Sequence, residues 1–320
     1  MTILTNRSDA VFIRQLFTEI EEKMSNTAAT ILEHRTVLKL DGEDLVPFLQ
    51  AVVTQDISLV TPEKSVWSAL LTPQGKFLHE FFVTAPPKGG LLLDCEKDRA
   101  PDLLRRLKIY KMRSKATLEP TDDQYTVLAL QGSDLSETLG LSKNKGASKE
   151  ILGGCVYIDP RHQAMGARAI IPTENLSKFI EKYDLIKSTL ETYDQARVTL
   201  GVPDGSRDLE IEKSILLENG FNELGAIDWD KGCYIGQELT ARTKYRALIK
   251  KRLVPVKLTG PIPETGTDIT IAGKNVGILR SVYGNQGLAT LKIDALGSDQ
   301  LLCDAANVTP QLPEWIEIDA

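Results

Sequence analysis

The chain has 320 residues, 42% of them hydrophobic, and a formal net charge of −6. This length is too great for one compact core and predicts two or three domains, and the acidic balance argues against general nucleic-acid binding. No apolar run approaches the roughly 20 residues that a membrane-spanning helix needs. Because residues 1–7 lack the apolar core of a signal peptide, we expect a cytoplasmic protein.

The four cysteines and three histidines are scattered, and no pair has the spacing of a zinc site. We therefore expect reduced thiols and no metal site. The cysteines are Cys95, Cys155, Cys233 and Cys303.

Residues 8–24 predict an amphipathic helix, because apolar residues recur there at helical spacing. We treat residues 1–27 as an N-terminal helical extension. The apolar positions of the predicted helix are Val11, Phe12, Leu16, Ile20 and Met24.

The pattern TVLxLxGxDL occurs at residues 36–45 and again at residues 126–135. Each copy predicts a strand, a glycine turn and a helix that begins with acidic residues, which suit the positive end of the helix dipole. Chance is the alternative interpretation, because strand–glycine–helix junctions are common. We favour a duplication, which predicts two pseudo-symmetric α+β halves within residues 28–248 and a ligand cleft between them.

Beyond Leu253, short β-type segments alternate with Gly-Pro and Gly-Asn turns. This pattern predicts a small antiparallel barrel within residues 249–320. The last predicted strand is at 315–318, and residues 301–310 carry no regular pattern.

The stretch most suited to chemistry is Lys-Gly-Cys-Tyr-Ile-Gly-Gln-Glu at residues 231–238. In an extended segment Lys231 and Cys233 project to the same side, and residues 237–242 predict the first turns of a helix, whose N–H groups lie near the thiol. Both effects favour a thiolate. The two glycines, Gly232 and Gly236, let the backbone approach a ligand or take a positive φ. The structural alternative is a tight turn around a buried, inert cysteine.

The pattern KGCYxGQE, extended by residues 239–244, resembles the signature of the YgfZ family of folate-binding proteins. These proteins are relatives of the glycine-cleavage T protein (GcvT), an aminomethyltransferase. The resemblance implies an α+β fold with three domains in a ring: two duplicated α+β halves and a C-terminal antiparallel β-barrel. It also implies tetrahydrofolate, or a derivative, bound in the central cleft.

The same resemblance implies an accessory factor in iron–sulfur cluster assembly or repair, with indirect effects on tRNA modification. Its partners would be folate and iron–sulfur assembly or client proteins. Lys231 and Cys233 would form the functional pair. The residues that the resemblance and the chemistry of folate suggest for the cofactor site are Asp56, Arg197, Tyr234, Gly236, Gln237, Glu238 and Arg242.

One departure concerns the T protein's pterin-binding pair, an arginine followed two residues later by a glutamate. Arg197 matches the arginine, but the second position is Thr199, which has no carboxylate. Either folate binding is weaker, or another acid such as Glu210 or Glu212 substitutes.

The T protein's catalytic aspartate maps to Asp94 or Asp98. The KGCYxGQE pattern is absent from the T protein. Folate-dependent aminomethyl transfer is therefore the alternative function.

A basic run follows the motif within residues 242–252. A solvated surface is one interpretation, and an anion site for phosphate, a folate polyglutamate tail or RNA is the other. An RNA- or protein-binding module is accordingly a third candidate function. The basic residues are Arg242, Lys244, Arg246, Lys250, Lys251 and Arg252.

Overall fold

The computed structural model describes residues 27–246 and 249–317. These residues form two open sheets and a closed β-barrel. The predicted helix over residues 8–24 lies outside the described residues. Within the described ranges, no helix is both long and apolar enough to cross a membrane.

The first half of the chain is a five-stranded antiparallel sheet with two helices on one face. Its strands follow each other across the sheet in the order β3-β4-β5-β2-β6. After the short strand β1 (Ala28–Ile31), its elements are β2 (Arg35–Asp41), α1 (Leu45–Gln50), β3 (Val66–Leu71), β4 (Phe77–Thr84), β5 (Leu91–Glu96), α2 (Ala100–Lys111) and β6 (Thr117–Pro120).

The second half is a six-stranded sheet with the strand order β11-β1-β7-β10-β9-β8. Its elements are β7 (Tyr125–Gln131), α3 (Leu135–Leu139), β8 (Ser148–Ile151), β9 (Gly154–Ile158), β10 (Ala167–Pro172), α4 (Leu176–Lys182) and β11 (Ile186–Lys187).

The two halves repeat one topology. The strands of the TVLxLxGxDL pattern, β2 and β7, are each followed by a short helix and pair antiparallel with β5 and β10, respectively. The second sheet differs because β1 is inserted between β7 and β11, antiparallel to the former and parallel to the latter. The predicted duplication of α+β halves is confirmed.

The main core lies between the two sheets. Alternate residues of β4 point to opposite faces. Phe82 joins Trp67 and Tyr157 in the shared core, whereas Phe81 and Val83 pack in a second core that includes residues of α1 and α2. Both faces of this strand are therefore buried, including its polar residues His79, Glu80 and Thr84.

A long connection joins α5 (Leu190–Leu200) to α6 (Gln237–Tyr245), and the C-terminal region follows α6. Its strands close into a barrel in the order β12-β15-β14-β13-β16-β17, and β12 pairs with β17 to complete the ring. The predicted antiparallel barrel is confirmed. Its strands are β12 (Lys251–Thr259), β13 (Asp268–Ile271), β14 (Lys274–Tyr283), β15 (Gln286–Lys292), β16 (Leu302–Cys303) and β17 (Ala306–Pro310).

Two details of the barrel differ from the prediction. Residues 301–310, expected to be irregular, supply the two strands that close the barrel. The segment expected as a final strand instead contains a turn, where the indole Nε1 of Trp315 donates to the carbonyl oxygen of Leu200 at 2.8 Å. This tryptophan therefore ties the chain end to α5.

Candidate functional site

The KGCY segment, residues 231–236, is a loop that leads into α6. Gly236 precedes the helix with φ +83°, and a Cβ at this position would lie 2.6 Å from the carbonyl oxygen of Thr72. Gly75, in the hairpin turn between β3 and β4, has φ +67° and lies on the other side of this contact. Only glycine fits here, because the loop and the hairpin turn touch through their backbones. Of the two predicted roles of this glycine, the positive φ is the one observed, and protein backbone rather than a ligand fills the adjoining space.

Lys231 anchors the loop from inside the protein. It is 7% exposed, and its ammonium donates to the carbonyl oxygens of Val53 at 2.6 Å and Gln55 at 2.7 Å. Its backbone N–H donates to Asp228 Oδ1 at 2.8 Å, and the Asp228 N–H donates to the carbonyl of Thr54 at 3.0 Å. Burial lowers the pKa of Lys231 to about 8, against the opposing influence of nearby carboxylates.

Asp56 is one of those carboxylates, and it caps the turn that receives Lys231. Its Oδ1 accepts from the Ser58 N–H at 2.8 Å, the Ser58 hydroxyl at 2.6 Å and Gln50 Nε2 at 2.6 Å. Although partial burial opposes ionisation, these hydrogen bonds and the charge of Lys231 lower its pKa. Asp56 therefore holds the turn in shape, and one of its oxygens is already committed.

Cys233 is exposed. Its neighbour Gly232 is also exposed, and a Cβ added there would meet nothing within 4 Å. The predicted side-by-side arrangement of Lys231 and Cys233 is wrong, because the lysine points into the protein and the cysteine to solvent. The reason is that residues 231–234 form an irregular loop rather than an extended strand. The alternative of a buried cysteine is also wrong, since Cys233 is exposed.

The other three cysteines are buried. Burial raises the pKa of Cys95 well above its ordinary value, that of Cys155 to about 12 and that of Cys303 to about 11. These thiols are therefore inaccessible and disfavoured as thiolates. Cys233 is the exposed thiol among the described residues.

The helix that follows Cys233 presents a mixed surface. Gln237 is half-buried, and Glu238 and Arg242 are exposed. Lys244 Nζ lies 3.9 Å from the ring centroid of Trp229, within cation–π distance. This helix begins at Gln237, as the sequence predicts.

Tyr234 lies beneath the loop rather than in a cleft. It is 6% exposed, and its ring centroid is 5.4 Å from Lys231 Nζ. Burial raises the pKa of its hydroxyl to about 12. The ring supports the lysine and offers little surface to a ligand.

Arg197 belongs to a different part of the molecule. It is fully buried, and its guanidinium donates to Asp194 Oδ1 at 2.5 Å, Asp208 Oδ2 at 2.7 Å and the Ser281 hydroxyl at 2.7 Å. It therefore links α5 to barrel strand β14. The prediction that Arg197 contacts folate is wrong, because all three of its nitrogens already have protein partners.

The acids considered as substitutes for the missing glutamate are also engaged. Glu210 pairs with Arg280 at 2.6 Å, and Glu212 with Arg106 at 3.2 Å.

A buried ionic network lies between the two sheets, and sequence analysis missed most of it. Asp94 accepts from Arg35 Nε at 2.7 Å and from Arg168 Nη2 at 2.5 Å, and Arg35 also pairs with Glu80. Although burial opposes ionisation, the charges of Arg168 and Arg35 lower the pKa of Asp94. All four residues are at most 5% exposed. An aspartate so enclosed cannot reach a substrate.

The folate prediction can be tested against this geometry. Arg197 faces the barrel, Tyr234 is buried under the loop, and Asp56 caps a turn, so these residues do not converge on one cleft. Surface cavities of about 560 and 590 Å³ are lined by other residues. Asp56, Arg197 and Tyr234 therefore do not form the predicted folate site together.

The basic run is also less continuous than the sequence suggests. Arg252 is 2% exposed and donates to the carbonyl of Leu217 at 2.6 Å, and it also pairs with Glu223. Lys250 and Lys251 are exposed.

Comparisons with known proteins place this geometry in context. The family model for the CAF17 C-terminal beta-barrel domain matches residues 250–318. The solved structure of the glycine cleavage system aminomethyltransferase T from Bartonella henselae covers 92% of this chain and 87% of its own, with a TM-score of 0.75 and 14% identity. At that identity the likeness shows the fold alone, and it confirms the predicted T-protein-like architecture.

Among curated proteins, the human mitochondrial protein named iron-sulfur cluster assembly factor IBA57 is 31% identical over 286 residues, covering 81% of this chain and 76% of its own. The mouse protein of the same name is 28% identical over 89% of this chain and 84% of its own. The homologue from Coccidioides immitis is 26% identical over 95% of this chain and 80% of its own. The prediction of a cytoplasmic protein is wrong on this evidence, since these relatives are named as mitochondrial. By its identity to the human protein over most of both chains, this chain belongs to the IBA57 family.

Proposed function

We propose that the protein is an iron–sulfur cluster assembly factor in which Cys233 is a transient ligand of the cluster. The observation that carries the proposal is the contrast among the four cysteines. Cys233 is exposed on a glycine-flanked loop, whereas the other three are buried with raised pKa values. The names of the relatives agree with this role.

The cluster is cargo, and the protein supplies only part of its coordination. Iron–sulfur clusters generally take four protein ligands. The described residues contain no group of three or more His, Cys, Asp or Glu side chains placed to hold a metal ion. We infer that a partner protein supplies the remaining ligands while the cluster is bound.

Ligand exchange at Cys233 needs no change of oxidation state. The thiol releases its proton to solvent, and its sulfur forms a bond to iron as a ligand of the donor departs. Exposure of the thiol permits this exchange, because the incoming cluster and its carrier are both bulky.

Lys231 serves as a positioning residue in this proposal. Its ammonium fastens the loop to the turn at residues 53–55. The loop is thereby fixed at both ends, by Lys231 on one side and by the contact of Gly236 with Thr72 on the other. Cys233 lies between these two anchors.

Tetrahydrofolate and aminomethyl transfer are not included in the proposal. Asp56 and Arg197 are engaged with other protein groups and Tyr234 is buried. Asp94, one of the two aspartates matched to the T protein's catalytic acid, is enclosed by Arg35 and Arg168. RNA contact through residues 242–252 is not included either, since Arg252 is buried. We propose a mitochondrial location, and effects on tRNA modification only through enzymes that need clusters.

The test is complementation of cells that lack the gene. The activity of a mitochondrial [4Fe–4S] enzyme would be measured after rescue with wild type, Cys233→Ala or the matched control Cys303→Ala. We expect wild type and the control to restore the enzyme, and Cys233→Ala to fail at equal protein abundance. Full rescue by Cys233→Ala would refute the role of this thiol.

A parallel measurement of glycine cleavage in the same cells separates the alternative. We expect it to be unaffected by deletion. Loss of glycine cleavage, restored equally by Cys233→Ala, would instead indicate an aminomethyltransferase.

A further inference from the structure

A groove lies between α1 and the end of α2, and we call it the α1–α2 groove. Its volume is about 590 Å³. Phe48, Ala51 and Val52 line one side, and Tyr110 and Met112 line the other. Its lining is mainly apolar, although it lies at the surface.

The groove adjoins the loop that carries Cys233. Ile235 packs against the hydrophobic cluster that contains Phe48 and Val52. The Ile235 N–H donates to the carbonyl oxygen of Ala51 at 3.3 Å. Because Ala51 lines the groove and Ile235 is two residues from Cys233, the groove and the exposed thiol lie on neighbouring segments of the protein.

Large apolar side chains are exposed on the groove wall, at Met112, and elsewhere on α1 and α2. Met112 is 84% exposed, Ile109 59% and Val46 39%. A small ligand would fill the groove but leave these side chains in water. A protein surface would cover them, and methionine adapts readily to the shape of a partner.

The charges around the groove indicate what kind of protein fits. Lys108, Lys111 and Arg113 have no ion-pair partner within residues 27–246 and 249–317. The two lysines also suit the negative end of α2, but Arg113 lies beyond the helix. Asp44 is the carboxylate that lines the groove, and it accepts from the Lys115 N–H at 2.7 Å.

The segment that follows Cys233 adds two exposed arginines, Arg242 and Arg246, against one exposed carboxylate, Glu238. Unpaired basic residues around an apolar site attract an acidic partner and exclude a basic one.

We propose that the α1–α2 groove is the docking surface for an acidic protein that inserts an apolar side chain between α1 and Met112. Docked there, the partner brings its own cysteines to Cys233. This inference rests on the proposed function, because it identifies the chemistry of the protein that completes the cluster site.

Site-specific photocrosslinking tests the proposal. The full chain would carry p-benzoylphenylalanine in place of Met112 and be irradiated in intact cells, and crosslinked proteins would be identified by mass spectrometry. We expect one main adduct, with a protein of net negative charge that contains cysteine.

The charge requirement is tested with two double variants of equal charge change. We expect Lys111→Glu with Arg113→Glu to lower the crosslink yield about tenfold, because two favourable contacts become repulsive. Lys178→Glu with Lys187→Glu, at exposed positions of the second half, should leave the yield unchanged. Absence of an adduct, an adduct with a second copy of this chain, a basic partner, or equal yields in both variants would overturn the proposal.

A Cys233→Ala background separates this proposal from the proposed function. Docking through the groove does not require the thiol, so we expect the adduct to persist. If the adduct persists while Cys233→Ala also rescues the cluster enzyme, the docking surface stands and the cluster-ligand role fails. If the adduct is lost with Cys233 alone, the cluster rather than the groove holds the partner, and the docking proposal fails.

Discussion

Replacing Lys231 with methionine tests whether a buried ammonium holds the cysteine loop. Methionine keeps most of the side chain's length but leaves the carbonyls of Val53 and Gln55 without their donor. An unpaired buried polar group destabilises by about 1–3 kcal/mol. We expect Lys231→Met to lower the free energy of unfolding by about 2 kcal/mol near neutral pH, since relief of the buried charge offsets part of the loss.

The pH dependence of the difference in stability between wild type and Lys231→Met is a more specific test than the difference at one pH. Burial lowers the pKa of Lys231 to about 8 from an ordinary value of 10.5. Between these pH values the unfolded chain binds a proton that the folded protein lacks, so the stability due to this group rises with pH. We expect the wild type to gain about 1–2 kcal/mol over Lys231→Met between pH 8 and 10.5.

The assay is urea unfolding of both proteins at several pH values, followed by fluorescence. Other groups titrate in both proteins and cancel in the difference. Hydrogen exchange of the loop amides at residues 228–236 would show whether the loop opens in the variant. A difference in stability that stays constant from pH 7 to 11 would refute the buried ammonium.

Three further outcomes follow from the structure. Gly236→Ala should destabilise the protein by at least about 2 kcal/mol, and the control Gly273→Ala by only about 1 kcal/mol. Both glycines have positive φ, but an added Cβ is obstructed only at Gly236. Similar losses of stability for the two variants in thermal unfolding would contradict the backbone contact. A thiol reagent should modify one cysteine rapidly in the native protein and none in Cys233→Ala, and rapid labelling of a second thiol would disprove the burial of the others. Arg168→Met should lower the free energy of unfolding by about 3–5 kcal/mol, because Asp94 loses a buried charged partner; a urea midpoint equal to that of wild type would be inconsistent with this network.

The fold was largely predictable from local patterns. The repeated strand–glycine–helix pattern identified β2 and β7, and the alternation of β segments and turns identified the barrel. The pattern missed β16 because that strand has only two residues, Leu302 and Cys303, and its existence depends on pairing with β13 and β17. Such short strands are defined by their neighbours rather than by their own sequence.

The candidate site was only partly predictable. Residue types identified Cys233, and exposure agrees with a reactive role. The direction of Lys231 depends on carbonyls at residues 53 and 55, nearly 180 positions earlier in the chain. The partners of Arg197 likewise include Ser281 of the barrel. Contacts between residues so distant in sequence leave no local pattern. Side chains whose chemistry suits a ligand, such as Arg197, were therefore predicted to bind a ligand, although their partners are other residues of the protein.

The insertion of β1 into the second sheet has a consequence for synthesis on the ribosome. Ala28 pairs with Gln131 and with Ile186, so β1, the first strand among the described residues, is synthesised about a hundred residues before the nearer of its two neighbours. At the usual speed of translation this interval is roughly 5–20 seconds. Throughout it, the backbone donors and acceptors of β1 lack their native partners and are open to pairing with other chains. The nascent protein therefore has a defined period of vulnerability to aggregation, which is reduced when β7 emerges and ends when β11 follows.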